Sequence, residues 1–249
     1  MSEGQQCIIF FDWDDTLFPT SYLGQWSQEG DEKSSVEQTD LQKRLTELGN
    51  LLFALLSGCR ALTEHVYIVT NSNNGWVQKS VQRAFAQTCP ELAELLMGND
   101  QTRIPIMEAR THFELFFPEQ CGMWKSCAFQ RHLELLQSGC SGPILWNNVS
   151  IVGIGDQITD RWALWNLTNL DLYKGVRIKS LQFKPNPSLI ELQSQLKHVL
   201  HRLPSLVLHP ETLDLQVHVV YPGDASQETV KKSEVAAENK PTKKPVVLV

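Results

Sequence analysis

The segment CIIFFDWDD, residues 7–15, is the strongest constraint on how this chain can fold. Its five apolar residues do not alternate with polar ones, a pattern typical of a strand that is covered on both faces within a parallel sheet. Asp12, Asp14 and Asp15 follow at once. Two carboxylates about 4 Å apart repel by roughly 4 kcal/mol at an effective dielectric constant near 20. Either a cation lies between these acids or their side chains point to different places.

Four more apolar runs have the composition of strands, at residues 66–70, 104–107, 150–154 and 176–181. Helical segments lie between and after them and are predicted at residues 39–55, 76–87, 91–97, 125–137 and about 187–203. Strands that alternate with helices imply right-handed crossovers. We therefore expect an α/β protein with a three-layer, doubly wound and mainly parallel sheet.

Local signals mark the ends of the predicted helices. Thr39 begins a capping-box pattern, and Gly58 is the expected stop of the same helix. Gly98 and Gly139 are expected to close the third and fourth helices, and Pro204 to end the last one.

The length of 249 residues and the 42% share of hydrophobic residues suit one domain with a full core. We place this domain at residues 1–221, with an inserted loop at about 19–38. The run LQVHVVY, residues 215–221, is a candidate edge strand. Residues 222–249 are mostly polar and charged, and we predict a disordered tail there.

Charge and cysteine content restrict the partners and the compartment. The net charge of −6 argues against general electrostatic binding to nucleic acid. No apolar run approaches the roughly 20 residues that cross a bilayer, and residues 7–11 are too few for a signal peptide. The six cysteines form no CxxC pair. We expect reduced thiols in a cytoplasmic protein, with the nucleus as the alternative.

Polar residues collect where the predicted strands end. They are Asp12 and Asp14 after the first strand, Thr70 and Asn71 after the second, Glu108 and Arg110 after the third, and Asp156 and Asp160 after the fourth. Ligands of open α/β sheets bind at the carboxyl ends of the strands. The sequence therefore predicts one site built from several strands.

Four short motifs, in this order, resemble those of the haloacid dehalogenase-like (HAD) superfamily of phosphohydrolases. FFDWDDT is similar to its first motif, DxDxT, and YIVTN to its second, an apolar strand that ends in Ser or Thr. Lys125 in WKSCAF, at the expected start of a helix, is similar to the third, and IVGIGDQITD to the fourth, GDxxxD. The resemblance spans residues 10–160 and implies a HAD-like Rossmannoid core. The inserts at 19–38 and 108–122 are too short for a large cap domain.

The resemblance implies a Mg²⁺-dependent phosphatase and a role for each motif residue. Asp12 would be the nucleophile that forms an aspartyl-phosphate, and Asp14 the general acid and base. Thr70 and Lys125 would hold and neutralise the phosphoryl oxygens. Mg²⁺ would be bound by Asp12, the Asp14 backbone carbonyl and Asp156, with Asp160 orienting the metal shell or Lys125.

Several residues keep two interpretations at this stage. Thr16 and Asn71 are expected to contact the substrate, and Arg110 either clamps a second anionic group or is an exposed arginine at a helix start. Asp160 could instead cap the following helix. Trp76 either stacks on a flat substrate or packs in the core.

Two other functions remain open: a non-catalytic phosphate-binding scaffold, and a phosphotransferase that uses the same intermediate. An open site favours a phosphorylated substrate that is macromolecular. The apolar end KKPVVLV is a candidate for strand addition to a partner domain.

Overall fold

The computed structural model describes residues 6–28, 34–73, 75–140 and 142–217, and the backbone of residues 246–248. Seven strands are β1 (Gln6–Phe11), β2 (His65–Thr70), β3 (Ile106–Glu108), β4 (Val149–Gly155), β5 (Arg177–Gln182), β6 (Leu213–Val217) and β7 (Val246–Leu248). The α-helices are α1 (Thr20–Gln28), α2 (Ser35–Leu62), α3 (Trp76–Ala84), α4 (Pro90–Met97), α5 (Ala109–Phe113), α6 (Cys121–Gly139), α7 (Ile158–Asn166) and α8 (Leu189–Leu208). Short 3₁₀ helices cover Trp146–Asn148, Leu167–Asn169 and Asp171–Tyr173.

The strands form one sheet in the order β3-β2-β1-β4-β5-β6-β7, and every pair is parallel. The predicted α/β class and the parallel sheet are confirmed. The direction in which strands are added reverses between β1 and β4, which lie side by side with Phe11 opposite Ile154. In open α/β sheets the crevice at such a reversal is where ligands bind.

Strand β1 contributes side chains to two separate hydrophobic cores. Cys7, Ile9 and Phe11 belong to a larger core that also contains apolar residues of α2, α3, α4 and α8. Ile8 and Phe10 belong to a second core with residues of α6 and α7. Because both faces of β1 are covered, its sequence has no polar alternation, and the protein has three layers, helix on sheet on helix.

Helix α2 begins earlier and ends later than the sequence pattern predicts. Ser34 caps it, in a capping box with Glu37, whereas Thr39 lies inside the helix and its hydroxyl bonds to the Ser35 carbonyl. Gly58 does not stop the helix. A Cβ at Gly58 would lie 3.5 Å from Leu203 of α8, so this glycine sits where the two helices pack together.

Helix α8 also runs past its predicted end. Ser188 and Glu191 form its capping box, and Pro204 lies inside the helix rather than after it. Proline removes one helical hydrogen bond. The turn beyond it nevertheless places Leu206 and Val207 in the larger core, and burial of these side chains opposes the loss.

Two further helix predictions need correction. Helix α6 ends at Gly139 as expected but starts at Cys121, so Lys125 lies on its second turn instead of opening it. The predicted loop at 19–38 contains helix α1, whose Tyr22 and Leu23 pack against the larger core. Residues 29–33 of that insert lie outside the described residues. Within the described parts of the chain, neither insert forms a separate domain.

The carboxyl-terminal part of the sheet differs from the edge strand that the sequence suggests. Strand β6 spans Leu213–Val217 and is flanked by β5 on one side and β7 on the other. The predicted disordered tail lies outside the described residues except for β7. This strand pairs with β6 of the same chain.

Helix α2 is long and apolar enough, by length and composition, to cross a membrane. Core helices of soluble proteins pass the same test. Here Leu45, Leu48, Leu52, Leu55 and Leu56 of this helix are buried in the larger core.

Candidate active site

The site lies at the carboxyl ends of β1 and β4, where the strand order reverses. Asp12 is the residue after β1, and its backbone N–H donates to the Ile154 carbonyl at 2.9 Å, which continues the pairing with β4. Asp156 is the residue after β4. Both carboxylates are buried, because helices cover both faces of the sheet at this edge.

Lys125 reaches this crevice from α6 and contacts two carboxylates. Its Nζ lies 2.6 Å from Asp12 Oδ1 and 2.5 Å from Asp160 Oδ1. The Lys125 side chain is 3% exposed. Burial by itself would lower the pKa of Lys125, but the charges of Asp12 and Asp160 raise it above its ordinary value. Lys125 is therefore held as an ammonium ion.

Three carboxylates converge around this one ammonium group. Oxygen atoms of Asp12, Asp156 and Asp160 all lie within 4.8 Å of one another. Burial raises the pKa of Asp12 well above its usual range, even though Lys125 opposes that shift. Burial, and then the charge of Asp160, raises the pKa of Asp156 to about 7. Both shifts indicate an excess of buried negative charge, which a proton or a cation would neutralise.

The oxygen atoms of this cluster are of the kind that hard cations bind. All three side chains offer carboxylate oxygens, which suit Mg²⁺, so the cluster could hold such an ion. The Asp14 carboxylate is not part of the cluster within the described residues. The resemblance assigns only its backbone carbonyl to the metal.

Asp160 serves two purposes that the sequence left as alternatives. It lies in the first turn of α7, where its Oδ2 accepts from the Gln157 backbone N–H at 3.3 Å in a capping box. Its Oδ1 contacts Lys125. The same side chain thus caps the helix and takes part in the site.

Gly155, the last residue of β4, allows Asp160 to reach this position. A Cβ at Gly155 would lie 2.2 Å from Asp160 Oδ2 and 2.7 Å from Asp160 Cβ. Real Cβ atoms do not come so close, so any other residue would displace the carboxylate.

Asp14, two residues after Asp12, accepts four hydrogen bonds. Thr70 and Ser72, at and just after the end of β2, donate to Oδ2 at 3.2 and 2.7 Å. Thr20 and Trp76, the first residues of α1 and α3, donate to Oδ1 at 2.5 and 2.7 Å. Asp14 is thereby fixed in one orientation, and Thr70 contacts it directly.

The three residues predicted to contact the substrate, Thr16, Asn71 and Arg110, differ in whether they lie near Asp12. Thr16 is buried, and its hydroxyl lies 3.5 Å from Asp12 Oδ2. Asn71 donates to the Cys121 carbonyl at 3.3 Å, while its Oδ1 is buried without a hydrogen-bond partner. Arg110 pairs with Glu114 at 2.8 Å on the surface. Its guanidinium also lies 5.6 Å from the centre of the Trp124 ring, and both contacts support the helix-start interpretation.

The acids and aromatic residues around the motifs have mostly structural contacts. Asp15 adopts a positive φ of 54° and accepts from the Ser21 backbone N–H, so it caps α1. Trp13 and Trp124 are buried in the two cores. Arg161 forms an ion pair with Asp214 of β6.

Three residues at the site carry no recognisable signal in the sequence. Thr20 and Ser72 bond to Asp14, and Gln157 donates to Asp156 Oδ2 at 2.5 Å. Glu108, one of the polar residues predicted at the strand ends, accepts from the Gly75 backbone N–H at 2.6 Å through its Oε1. Ser72 and Gln157 each lie within two residues of a predicted site residue, and this proximity is the only sequence feature that points to them. Thr20 comes from the insert and is brought close by the turn at Asp15.

No protein-family model, no curated protein and no solved structure matches this chain.

Proposed function

We propose that this protein is a Mg²⁺-dependent phosphatase of the HAD type, which hydrolyses a phosphate monoester. One observation carries the proposal: Asp12 contacts Lys125 within a buried cluster of three carboxylates at the strand-order reversal, and Asp14 lies two residues along. The order of the four motifs supports the same assignment.

In the first step a carboxylate oxygen of Asp12 attacks the phosphorus atom, and the bond to the ester oxygen breaks. Asp14 gives its proton to that leaving oxygen. In the second step Asp14 takes a proton from water, the water oxygen attacks the phosphorus, and the bond to Asp12 breaks to release phosphate. Lys125 offsets negative charge on the phosphoryl group throughout. Mg²⁺, held by Asp12, Asp156 and Asp160, would supply further charge neutralisation.

The surroundings of the site support a macromolecular substrate. The described residues contain no cap domain, and large apolar side chains are exposed close to the site: Met123 at the start of α6, and Ile158 and Trp162 on α7. These helix starts adjoin, since a Cβ at Gly122 would lie 3.8 Å from Thr159. All six cysteines are free thiols, which supports a reducing compartment such as the cytoplasm.

The experiment measures phosphate release from p-nitrophenyl phosphate and from phosphopeptides, with Mg²⁺ and with a chelator. The wild-type protein should turn over only with Mg²⁺. Asp12→Asn should lower kcat by more than about 1000-fold, because the nucleophile is removed. It should keep its melting temperature within a few degrees, because the change is nearly isosteric. Asp40→Asn, on the exposed face of α2, is the matched control and should keep full activity.

Turnover retained in Asp12→Asn would contradict the nucleophile assignment. A folded wild-type protein that binds Mg²⁺ but releases no phosphate from any of these substrates would contradict the phosphatase proposal.

A further inference from the structure

Each acid of the Asp12, Asp156 and Asp160 cluster has at least one oxygen held by a donor of the protein. Lys125 Nζ lies 2.6 Å from Asp12 Oδ1 and 2.5 Å from Asp160 Oδ1. The Gln157 side chain donates from Nε2 to Asp156 Oδ2 at 2.5 Å, and its backbone N–H donates to Asp160 Oδ2 at 3.3 Å. None of the three acids therefore presents two free oxygens to an ion.

The number of free oxygens on each acid matters for the choice between Mg²⁺ and Ca²⁺. Ca²⁺ takes about six to eight oxygen ligands and often binds both oxygens of one carboxylate. Mg²⁺ is smaller, requires octahedral geometry and keeps several waters, with one or two carboxylates among its ligands. A cluster whose acids each offer a single oxygen therefore suits Mg²⁺ better than Ca²⁺.

Asp156 owes this restriction to its neighbour in the chain. Among the described residues, the Gln157 amide is the side-chain donor to Asp156, and no donor bonds to Asp156 Oδ1. Carboxylate oxygens accept hydrogen bonds, so the NH₂ end of the amide faces Oδ2. Oδ1 is thus the oxygen of Asp156 that is left for a cation.

We propose that Gln157 is a positioning residue that keeps Asp156 a one-oxygen ligand and thereby selects Mg²⁺ over Ca²⁺. The inference rests on the proposed function, because it concerns the metal site of that function. An ion that binds both oxygens of Asp156 would have to displace the Gln157 amide from Oδ2. An ion that binds Oδ1 alone leaves this hydrogen bond in place.

The backbone of Gln157 is fixed, although its side chain is exposed. Gln157 is the N-cap residue of α7, with an extended conformation at φ −92° and ψ 144°. Its N–H donates to Asp160 Oδ2, and its carbonyl accepts from the Asp160 backbone N–H at 3.1 Å. Gln157 is therefore tied to Asp160 through its backbone and to Asp156 through its side chain. Because the side chain lies at the surface, its replacement should leave the fold intact.

The test measures metal binding directly, by isothermal titration calorimetry of the metal-free protein with MgCl₂ or CaCl₂ at one fixed pH. The wild-type protein should bind Mg²⁺ more tightly than Ca²⁺. In Gln157→Leu, which keeps the size of the side chain and removes the amide, the Kd for Mg²⁺ should rise about 10-fold, because partners of a metal ligand typically contribute about 10- to 100-fold to affinity. The Kd for Ca²⁺ should rise less than about twofold or fall, because both oxygens of Asp156 become free to bind.

Gln157→Ser separates positioning of Asp156 from capping of α7. Serine is a favoured N-cap residue, but its side chain is too short to replace the amide at Asp156 Oδ2. The ratio of the two Kd values should therefore shift toward Ca²⁺ in Gln157→Ser as it does in Gln157→Leu.

Gln130→Leu is the matched control for the loss of the amide. Gln130 also donates from Nε2 to a carboxylate, Glu134 Oε1 at 2.9 Å, and both residues lie on α6. This bond is not part of the acid cluster, so neither Kd should change.

An unchanged ratio of the two Kd values in both Gln157 variants would overturn the inference. Equal weakening of Mg²⁺ and Ca²⁺ would also overturn it, because Gln157 would then support the site in general. A wild-type protein that binds neither ion would instead overturn the metal site of the proposed function. The titrations need no substrate, so a wild-type protein that binds Mg²⁺ but releases no phosphate would contradict the proposed function and leave the selectivity of Gln157 measurable.

Discussion

At the level of single residues, the chemistry of this protein follows from the burial of charge. Asp12, Asp156 and Asp160 are each less than a tenth exposed, and Lys125 is the ammonium group that they surround. A buried carboxylate without a partner costs several kcal/mol unless it takes up a proton or a cation. This cost is the physical reason to expect a bound metal ion here.

A glycine next to the cluster provides a test at this scale. Gly155→Ala should displace the Asp160 carboxylate, because the new Cβ would overlap Asp160 Oδ2 and Cβ. We expect kcat to fall by at least about 10-fold and the Mg²⁺ concentration for half-maximal activity to rise, as changes near a metal ligand typically cause 10- to 100-fold effects. Titration of phosphate release with Mg²⁺ measures both.

The control for this substitution is Gly139→Ala at the end of α6, where no atom lies within 4 Å of the new Cβ. It should leave the metal titration unchanged. An unchanged titration in Gly155→Ala as well would show that Asp160 does not need this glycine.

At the level of elements, the starts of helices bring the site together. Helix α7 supplies Asp160 from its first turn and α6 supplies Lys125 from its second. The first residues of α1 and α3, Thr20 and Trp76, both donate to Asp14. Because all four helices begin at the carboxyl edge of the sheet, residues far apart in sequence meet there.

A substitution at the start of helix α8 should change stability and leave activity unchanged. Ser188 accepts from the Glu191 backbone N–H in a capping box, and the helix packs against α2 in the larger core. Ser188→Ala should lower the free energy of unfolding by about 1 kcal/mol, the usual cost of a lost N-cap. Urea denaturation measures this, and kcat should not change.

Ser205→Ala, on the exposed side of the same helix, is the control and should be neutral or slightly stabilising, because alanine is the better helix former. Equal effects of the two substitutions would mean that the cap contributes nothing.

At the level of the whole molecule, stability should depend on pH through the acid cluster. The pKa of Asp156 is about 7 in the folded protein, against about 3.9 in an unfolded chain. Between these values the folded state binds more protons, so the stability that Asp156 contributes is lost as the pH rises through 7. His132 works in the opposite direction: burial lowers its pKa to about 4, and its contribution is lost as the pH falls below about 6.5.

In chemical denaturation with a chelator, the contribution of Asp156 to the free energy of unfolding should fall by roughly 1 kcal/mol between pH 6 and pH 8, and the opposite contribution of His132 should offset part of this fall. Mg²⁺ should reverse this loss, with about 2.7 kcal/mol of stabilisation at 100 times its Kd. The stabilisation should be larger at pH 8 than at pH 6, because the ion binds ionised carboxylates.

Asp156→Asn should reduce both the pH slope and the effect of Mg²⁺. Asp171→Asn, in the 3₁₀ helix Asp171–Tyr173, should change neither. An unaltered slope in Asp156→Asn would mean that another group is responsible.

The amino-acid sequence determined the layers and the edge of the sheet at which the site lies. Continuous apolar runs such as residues 7–11 and 150–154 predict strands that are buried on both faces. This prediction needs only the residues of the strand itself. The polar residues that follow these runs lie at the same edge because parallel strands end together. Helix ends were harder to predict, because capping by Ser34 and continuation past Pro204 depend on competing signals and on core packing.

Only the tertiary structure decided what each side chain at that edge touches. Trp76 and Thr20 bond to Asp14 from 62 and 6 residues away, and Arg110 turns to Glu114 instead of the site. Gly155 is required because Asp160 crosses directly over it. Such contacts depend on distances between elements that lie far apart in the chain. These distances are set when the elements pack together, and composition and periodicity do not determine them.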